Sequence, residues 1–183
     1  MKVESLRIIA LGLATAIGYG IVHDQVSVRI APEFLILAHP RIVNTDSPTL
    51  IALVWGIVAT WWVGLPLGCL LAAAARAGSR PKVEARRLVR PALLLFIAMA
   101  VTSVVAGLAG HALGKEGVIF ILEPLASEIP EERHALFLGA FVSHLAAYAA
   151  GIIGGLGLCW RVYRRRGRLT ETGPARGRAA SPA

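Results

Sequence analysis

The sequence predicts an all-α membrane protein: a bundle of four transmembrane helices with a structured first extracytoplasmic loop. Three observations carry this. Of 183 residues, 56% are hydrophobic and only 16% charged, against about 45–50% and 25% in soluble domains. The apolar residues fall into four long runs, at 6–22, 50–75, 92–113 and 135–160. A membrane helix needs about 20 such residues. None of the runs alternates with period two, which argues against a β-barrel. Two cysteines are too few for a disulfide scaffold, and the chain is too apolar to be disordered.

The first run starts at Leu6 and is charged only at Arg7. Its Ala14-Thr15-Ala16 triplet resembles a signal-peptide cleavage site, but a cut there would leave an apolar region of only about eight residues. We read it as a retained anchor. The second run follows Ser47-Pro48, an N-cap and a first-turn proline. Pro66 within it removes the partner of the Trp62 carbonyl and is expected to kink the helix. The third and fourth runs follow Arg90-Pro91 and Ile129-Pro130, again prolines placed for a first turn. Every run carries small residues four apart: Gly12, Ala16 and Gly20; Gly56, Thr60, Gly64 and Gly68; Ala98, Thr102, Ala106 and Gly110; Ser143, Ala147, Gly151 and Gly155. Such faces let membrane helices approach closely, within the bundle or in a homo-oligomer. Trp61 and Trp62 lie near mid-span. They read as space-filling or lipid-facing groups, with a wall for a lipid or quinone-like ligand as the alternative.

Charge sorts the connections. One side of the spans carries fifteen of the 19 Lys and Arg residues and the other four. The positive-inside rule therefore puts both termini in the cytoplasm, in a bacterial inner membrane. Acidic residues sort oppositely, so the net +8 divides into +12 inside and −4 outside. Residues 161–183 are rich in Arg, Gly and Pro and read as a disordered cytoplasmic tail, separate from a single domain at 1–160. The Arg161 to Arg168 cluster would lie against anionic lipid, with no role in nucleic-acid binding.

All five histidines fall on the acidic side. His23, His39, His111, His134 and Glu131 are candidate metal ligands, Glu131 and His134 in an E-x-x-H spacing. Without a second such motif the spacing reads as a solvated helix start, so no metal or other cofactor is assigned. His144 is about ten residues inside its span, or ~15 Å. An ionisable group at that depth is a functional candidate. Thr60, Ser103, His144 and Tyr148 would form one buried polar layer, with a neutral His144 imidazole bonded to Ser103 or Tyr148. In the first outer segment, His23, Asp24, Gln25, Arg29 and Glu33 are unusually specific for a loop. Val26, Val28 and Ile30 alternate with polar residues and predict a short strand. A proline-led helical turn follows, folded over the mouth of the bundle. Asp24, Arg29 and Glu33 are expected to pair with one another or with the third loop.

The run HDQVSVRIAPEF at 23–34, the stretch WGIVATWWVGLPLG at 55–68 and His144-x-x-x-Tyr148 resemble a family of small four-span bacterial integral membrane proteins. That family's pattern is HDQ-x-T-x-RI-x-PEYF after the first span and H-x-x-SY in the last. Ser27, Phe34 and Ala147 stand where it has Thr, Tyr and Ser. The resemblance covers most of 19–68 and 134–155. It implies four spans with the first outer loop as signature, and no activity. The sequence thus favours a non-enzymatic structural, accessory or small-ligand-binding bundle with a polar pocket on its outer side. A metal- or quinone-dependent membrane enzyme with a His/Glu site at the mouth is the alternative, and an oligomeric small-solute transporter a second.

Overall fold

The computed structural model describes residues 2–171. It is all-helical: α1 Lys2–Ile30, α2 Pro32–Ile36, α3 Pro48–Val58, α4 Trp61–Arg76, α5 Arg86–Lys115, α6 Leu125–Glu128, a 3₁₀ turn Glu131–Arg133 and α7 His134–Glu171. Four helical stretches, of 29, 29, 30 and 38 residues, are long and apolar enough to cross a membrane, α3 and α4 together making the second. At 1.5 Å per residue each exceeds the roughly 30 Å hydrocarbon core.

Several boundaries differ from the sequence reading. The segment predicted as a strand at Val26–Ile30 is the last turn and a half of α1. Helical periodicity wins there: Tyr19, Gly20, Asp24, Ser27, Val28 and Ala31 are the buried positions, a spacing of three to four residues. The second span is interrupted at Ala59–Thr60, while Pro66 lies inside α4 without ending it. At the break the Thr60 hydroxyl donates to the Gly56 carbonyl, and the Ala59 carbonyl accepts from the Tyr148 hydroxyl at 2.7 Å instead of from its own helix. α5 begins at Arg86, so Pro91 sits past its first turn. Gly117 (φ +68°) ends α5. The Val118 amide reaches back to Leu113 at 2.9 Å and the Gly117 amide to Gly114 at 3.2 Å, a Schellman closure that requires the left-handed residue.

α1 packs along α3 and α4, α5 along α7, and α4 against α7. The first seam is the small-residue face of the sequence. A Cβ on Gly12 would lie 2.7 Å from Gly68 Cα, and one on Gly64 would lie 2.6 Å from Ala16 Cβ. The third helix uses a different face: Gly107, Gly110 and Gly114 meet Ser143, Val142 and Leu138 of α7, while Ala98 and Thr102 are exposed. These faces are taken up inside the chain. The outward side of α5 is a ridge of exposed aliphatics that includes Ile97, Val101, Val104 and Leu108.

Two apolar clusters close the ends. Phe34, Leu35, Ala52, Ile129 and Phe137 pack at the end bearing α2. Ile8, Leu71, Ala75, Leu88 and Val162 pack at the basic end. Here the predicted tail is corrected: residues 161–168 continue α7 as helix, and the remainder from 172 lies outside the described residues. Arg166, read as part of a lipid-facing cluster, is 1% exposed. Its guanidinium donates to the carbonyls of Ala74 (2.6 Å), Ala77 (2.9 Å), Arg80 (3.0 Å) and Pro81 (2.6 Å). It satisfies the Ala74 carbonyl that the last turn of α4 leaves unpaired, together with three carbonyls of the chain that follows the helix. Arg166→Met is expected to cost about 3 kcal/mol, read by thermal unfolding in detergent, whereas Arg165→Met, at an exposed position, is expected to change little.

Candidate functional site

Between the two end clusters lies a cavity of about 690 Å³, bounded by α1, α2, α3–α4, α7 and the 120–125 loop. Its walls are largely apolar and aromatic, among them Phe34, Trp55, Phe137 and Phe141. Because α1 stays helical past residue 22, it presents Tyr19, His23 and Asp24 to this space. α7 presents His144 and Tyr148 from the opposite side.

The centre is a pair. His144 Nε2 lies 3.0 Å from Asp24 Oδ1, and His144 Nδ1 lies 2.8 Å from the Ala140 carbonyl oxygen. The Asp24 side chain is buried, at 6% exposure, and that of His144 is mostly covered, at 14%. A carbonyl oxygen only accepts, so Nδ1 carries a hydrogen. With Nδ1 protonated, a contact between Nε2 and the carboxyl is attractive only if one further proton lies between them. The pair is therefore Asp⁻ with His⁺, or AspH with neutral His, and is electrically neutral in both forms. The partner of His144 is thus Asp24 and not the expected Ser103 or Tyr148. Tyr148 is bonded to Ala59, and Ser103 accepts from the Tyr19 hydroxyl at 3.0 Å and donates to the Ala100 carbonyl at 3.0 Å. Of the expected layer, Thr60, His144 and Tyr148 line the cavity and Ser103 stands behind Tyr19.

Rings enclose the pair. His23 meets His144 edge to face with centroids 4.3 Å apart, Tyr19 stacks on His23 at 5.4 Å, and Phe34 lies 4.4 Å from His144. His23 Nε2 is buried and has no hydrogen-bond partner among the described residues.

The outer-loop signature thus divides. His23 and Asp24 face the cavity. Gln25 and Arg29 face α3, where Gln25 donates to the Thr49 carbonyl (2.9 Å) and Arg29 to the Gln25 side-chain oxygen (2.7 Å) and the Thr49 hydroxyl (3.2 Å). Glu33 binds Arg133 through both oxygens, at 2.8 and 3.2 Å, and Arg133 also donates to the Ile30 carbonyl at 2.8 Å. Asp24 and Arg29 leave α1 in different directions and Glu33 lies on α2, so the three do not pair with one another; Glu33 takes the other expected arrangement and pairs with the third loop through Arg133. The Glu33–Arg133 clamp holds α2 over the cavity against the start of α7. Burial acts to raise the Glu33 pKa, but the Arg133 hydrogen bonds and charge outweigh it, and the carboxyl sits below its ordinary value of 4.5. A lowered carboxyl contributes stability that is present above its unfolded pKa and lost as pH falls through the lowered value. Glu33→Gln is expected to speed amide exchange across 31–38 on the order of tenfold at neutral pH. The wild type should show the same loosening only on acidification below the carboxylate range.

The candidate metal ligands do not converge. His39 Nδ1 lies 2.8 Å from the Phe34 carbonyl oxygen, and its ring packs on Trp55 at 4.8 Å. His134 Nε2 lies 3.1 and 2.9 Å from the carbonyl oxygens of Ala126 and Ile129. His111 Nδ1 is buried against α7 without a partner among the described residues, and Glu131 is exposed. Among the described residues no three His, Cys, Asp or Glu side chains form a group able to hold a metal ion. The residues that do converge were only partly legible. Asp24 was singled out but placed in a loop; the signal for its true position is the helical spacing from Tyr19 to Ala31. Phe34 is marked in the sequence only as the end of the 23–34 run, and Tyr19 carries no signal beyond its apolarity.

Compared with known proteins, the chain matches no protein-family model, no curated protein and no solved structure.

Proposed function

We propose that this chain is an integral membrane protein that binds a small lipophilic ligand in the cavity between α1 and α7. The observation that supports this most is the cavity itself: about 690 Å³ of largely aromatic and aliphatic wall with a buried hydrogen-bonding pair at its side. Ligand sites are characteristically concave, apolar and equipped with a few convergent polar groups. A packed four-helix bundle without a ligand role gains nothing from holding Asp24 and His144 beside such a space, since an aliphatic pair would fill it without desolvating ionisable groups.

The remaining parts of the reading follow the sequence. The four helices span a bacterial inner membrane, both termini are cytoplasmic by the charge sorting, and the cavity opens toward the extracytoplasmic side under α2. The likeness to small four-span bacterial membrane proteins belongs to this reading and adds no activity. Exposed Arg161, Arg164 and Arg165 meet anionic lipid. A homo-oligomer through small-residue helix faces belongs to the same reading, and Ala98 and Thr102 are the members of the α5 stripe left exposed for it. No cofactor is assigned.

Native mass spectrometry of protein released from lipid nanodiscs tests the proposal. Wild-type protein is expected to carry a bound lipophile. Ala147→Phe, which fills the cavity from a 5%-exposed position on its wall, is expected to lose it, and Ile153→Phe on the exposed face of the same helix to retain it. An equal bound population in all three would overturn the assignment. A melting curve of Ala147→Phe confirms that the variant compared is folded.

A further inference from the structure

The charges around the cavity select the class of ligand. Among the described residues no Lys or Arg lines it. The titratable groups facing the Asp24–His144 pair are Tyr19 and His23 from α1, His39 from the segment after α2, Glu123 from the loop before α6, and Tyr148 from α7. The parts of α3, α4 and α5 that line the cavity contribute none. One buried carboxyl group, that of Asp24, therefore faces this space with no permanent cation beside it, while Glu123 is exposed and its carboxylate accepts from the Ser127 amide at 3.2 Å. The positive charge that balances Asp24 is the proton held between it and His144. An anionic ligand would bring a second negative charge into an apolar space with nothing to neutralise it. A cation finds a counterion once that proton leaves, and it finds the faces of Phe34, Trp55 and Tyr148, which attract positive charge.

We propose that the cavity binds a lipophilic organic cation in exchange for the one proton of the Asp24–His144 pair. The inference rests on the cavity being a ligand site and adds the charge of the ligand. The exchange balances. The cation enters, one proton passes to solvent, Asp24 becomes the carboxylate counterion, and His144 stays neutral with Nδ1–H on the Ala140 carbonyl. The net charge inside the cavity is zero before and after. His23, with no protein partner for its buried Nε2, adds no competing charge in its neutral form.

Tetraphenylphosphonium and tetraphenylborate, one shape with opposite charges, provide the test. Purified protein in non-ionic detergent is titrated with each in weakly buffered solution. The phosphonium is expected to bind with release of about one proton per cation, its affinity rising about tenfold per pH unit while the pair holds its proton. The borate is expected not to bind. Asp24→Asn keeps a hydrogen bond to His144, its amide N–H donating to Nε2, and is expected to weaken phosphonium binding more than tenfold. His144→Gln leaves the exchanged proton on the Asp24 carboxyl and is expected to keep proton release on phosphonium binding. Equal binding of both ions without proton release, or phosphonium binding undiminished in Asp24→Asn, overturns the cation proposal. So does binding of neither ion. In each of these cases the ligand-site reading is decided separately, by the lipophile carried by wild type against Ala147→Phe.

Discussion

Gly12→Leu is expected to prevent α1 from seating on α4 and to cost about 3 kcal/mol or more. The reason is backbone contact. A Cβ at Gly12 would meet Gly68 Cα at 2.7 Å, and a Cβ at Gly56 would meet the Ile21 backbone nitrogen at 2.5 Å. A flexible side chain could turn away from such an overlap, but main-chain atoms move only if the helix moves. Displacing α1 also shifts Tyr19, His23 and Asp24, so the cavity is lost together with the seam. Gly56→Leu is expected to behave alike. Gly157→Leu, where a Cβ would meet nothing within 4 Å, is expected to stay within about 0.5 kcal/mol of wild type. Denaturant titration in mixed micelles, monitored by helical circular dichroism, separates the three.

His144→Leu is the second large effect. It removes the donor from a carboxyl group that is 6% exposed and surrounded by rings. Removing one member of a buried charged pair costs about 3–5 kcal/mol, because the other is left uncompensated. Asp24→Leu leaves His144 without its acceptor and falls in the same range. The double variant is expected to recover much of the loss, since neither partner is then stranded, and the cycle should give a coupling of about 2 kcal/mol. Single variants that each cost under about 0.5 kcal/mol would show that the pair does not form. The measurement separates this pair from Tyr148, whose hydroxyl is bonded to a backbone carbonyl at 2.7 Å and is expected to be independent of it.

The four long helices were legible because uninterrupted apolar runs have one physical solution once they reach membrane length. The α1–α4 seam was legible for a related reason: small residues four apart leave a groove that another helix fills. What misled was local. Val26, Val28 and Ile30 alternate over too few residues for period two to be distinguished from helical spacing, and the charge of Asp24 suggested that the helix had ended. Its charge is instead answered from α7, 120 residues away, by a partner that no local pattern announces. Pro66 was the expected site of distortion, yet the helix yields at Thr60, where a hydroxyl competes for a main-chain carbonyl and Tyr148 takes the next one. Arg166 looked like one of a run of solvated arginines. Its burial follows from where α4 ends, which only the tertiary fold reveals.

An experimental density map of the protein taken directly from membranes into lipid nanodiscs tests the central claim most directly. The account predicts four helices across the bilayer and elongated non-protein density between Phe34 and Tyr148, its polar end beside Asp24. Phe34, Phe137 and Tyr148 packed against one another, with no space left between α1 and α7, would contradict it.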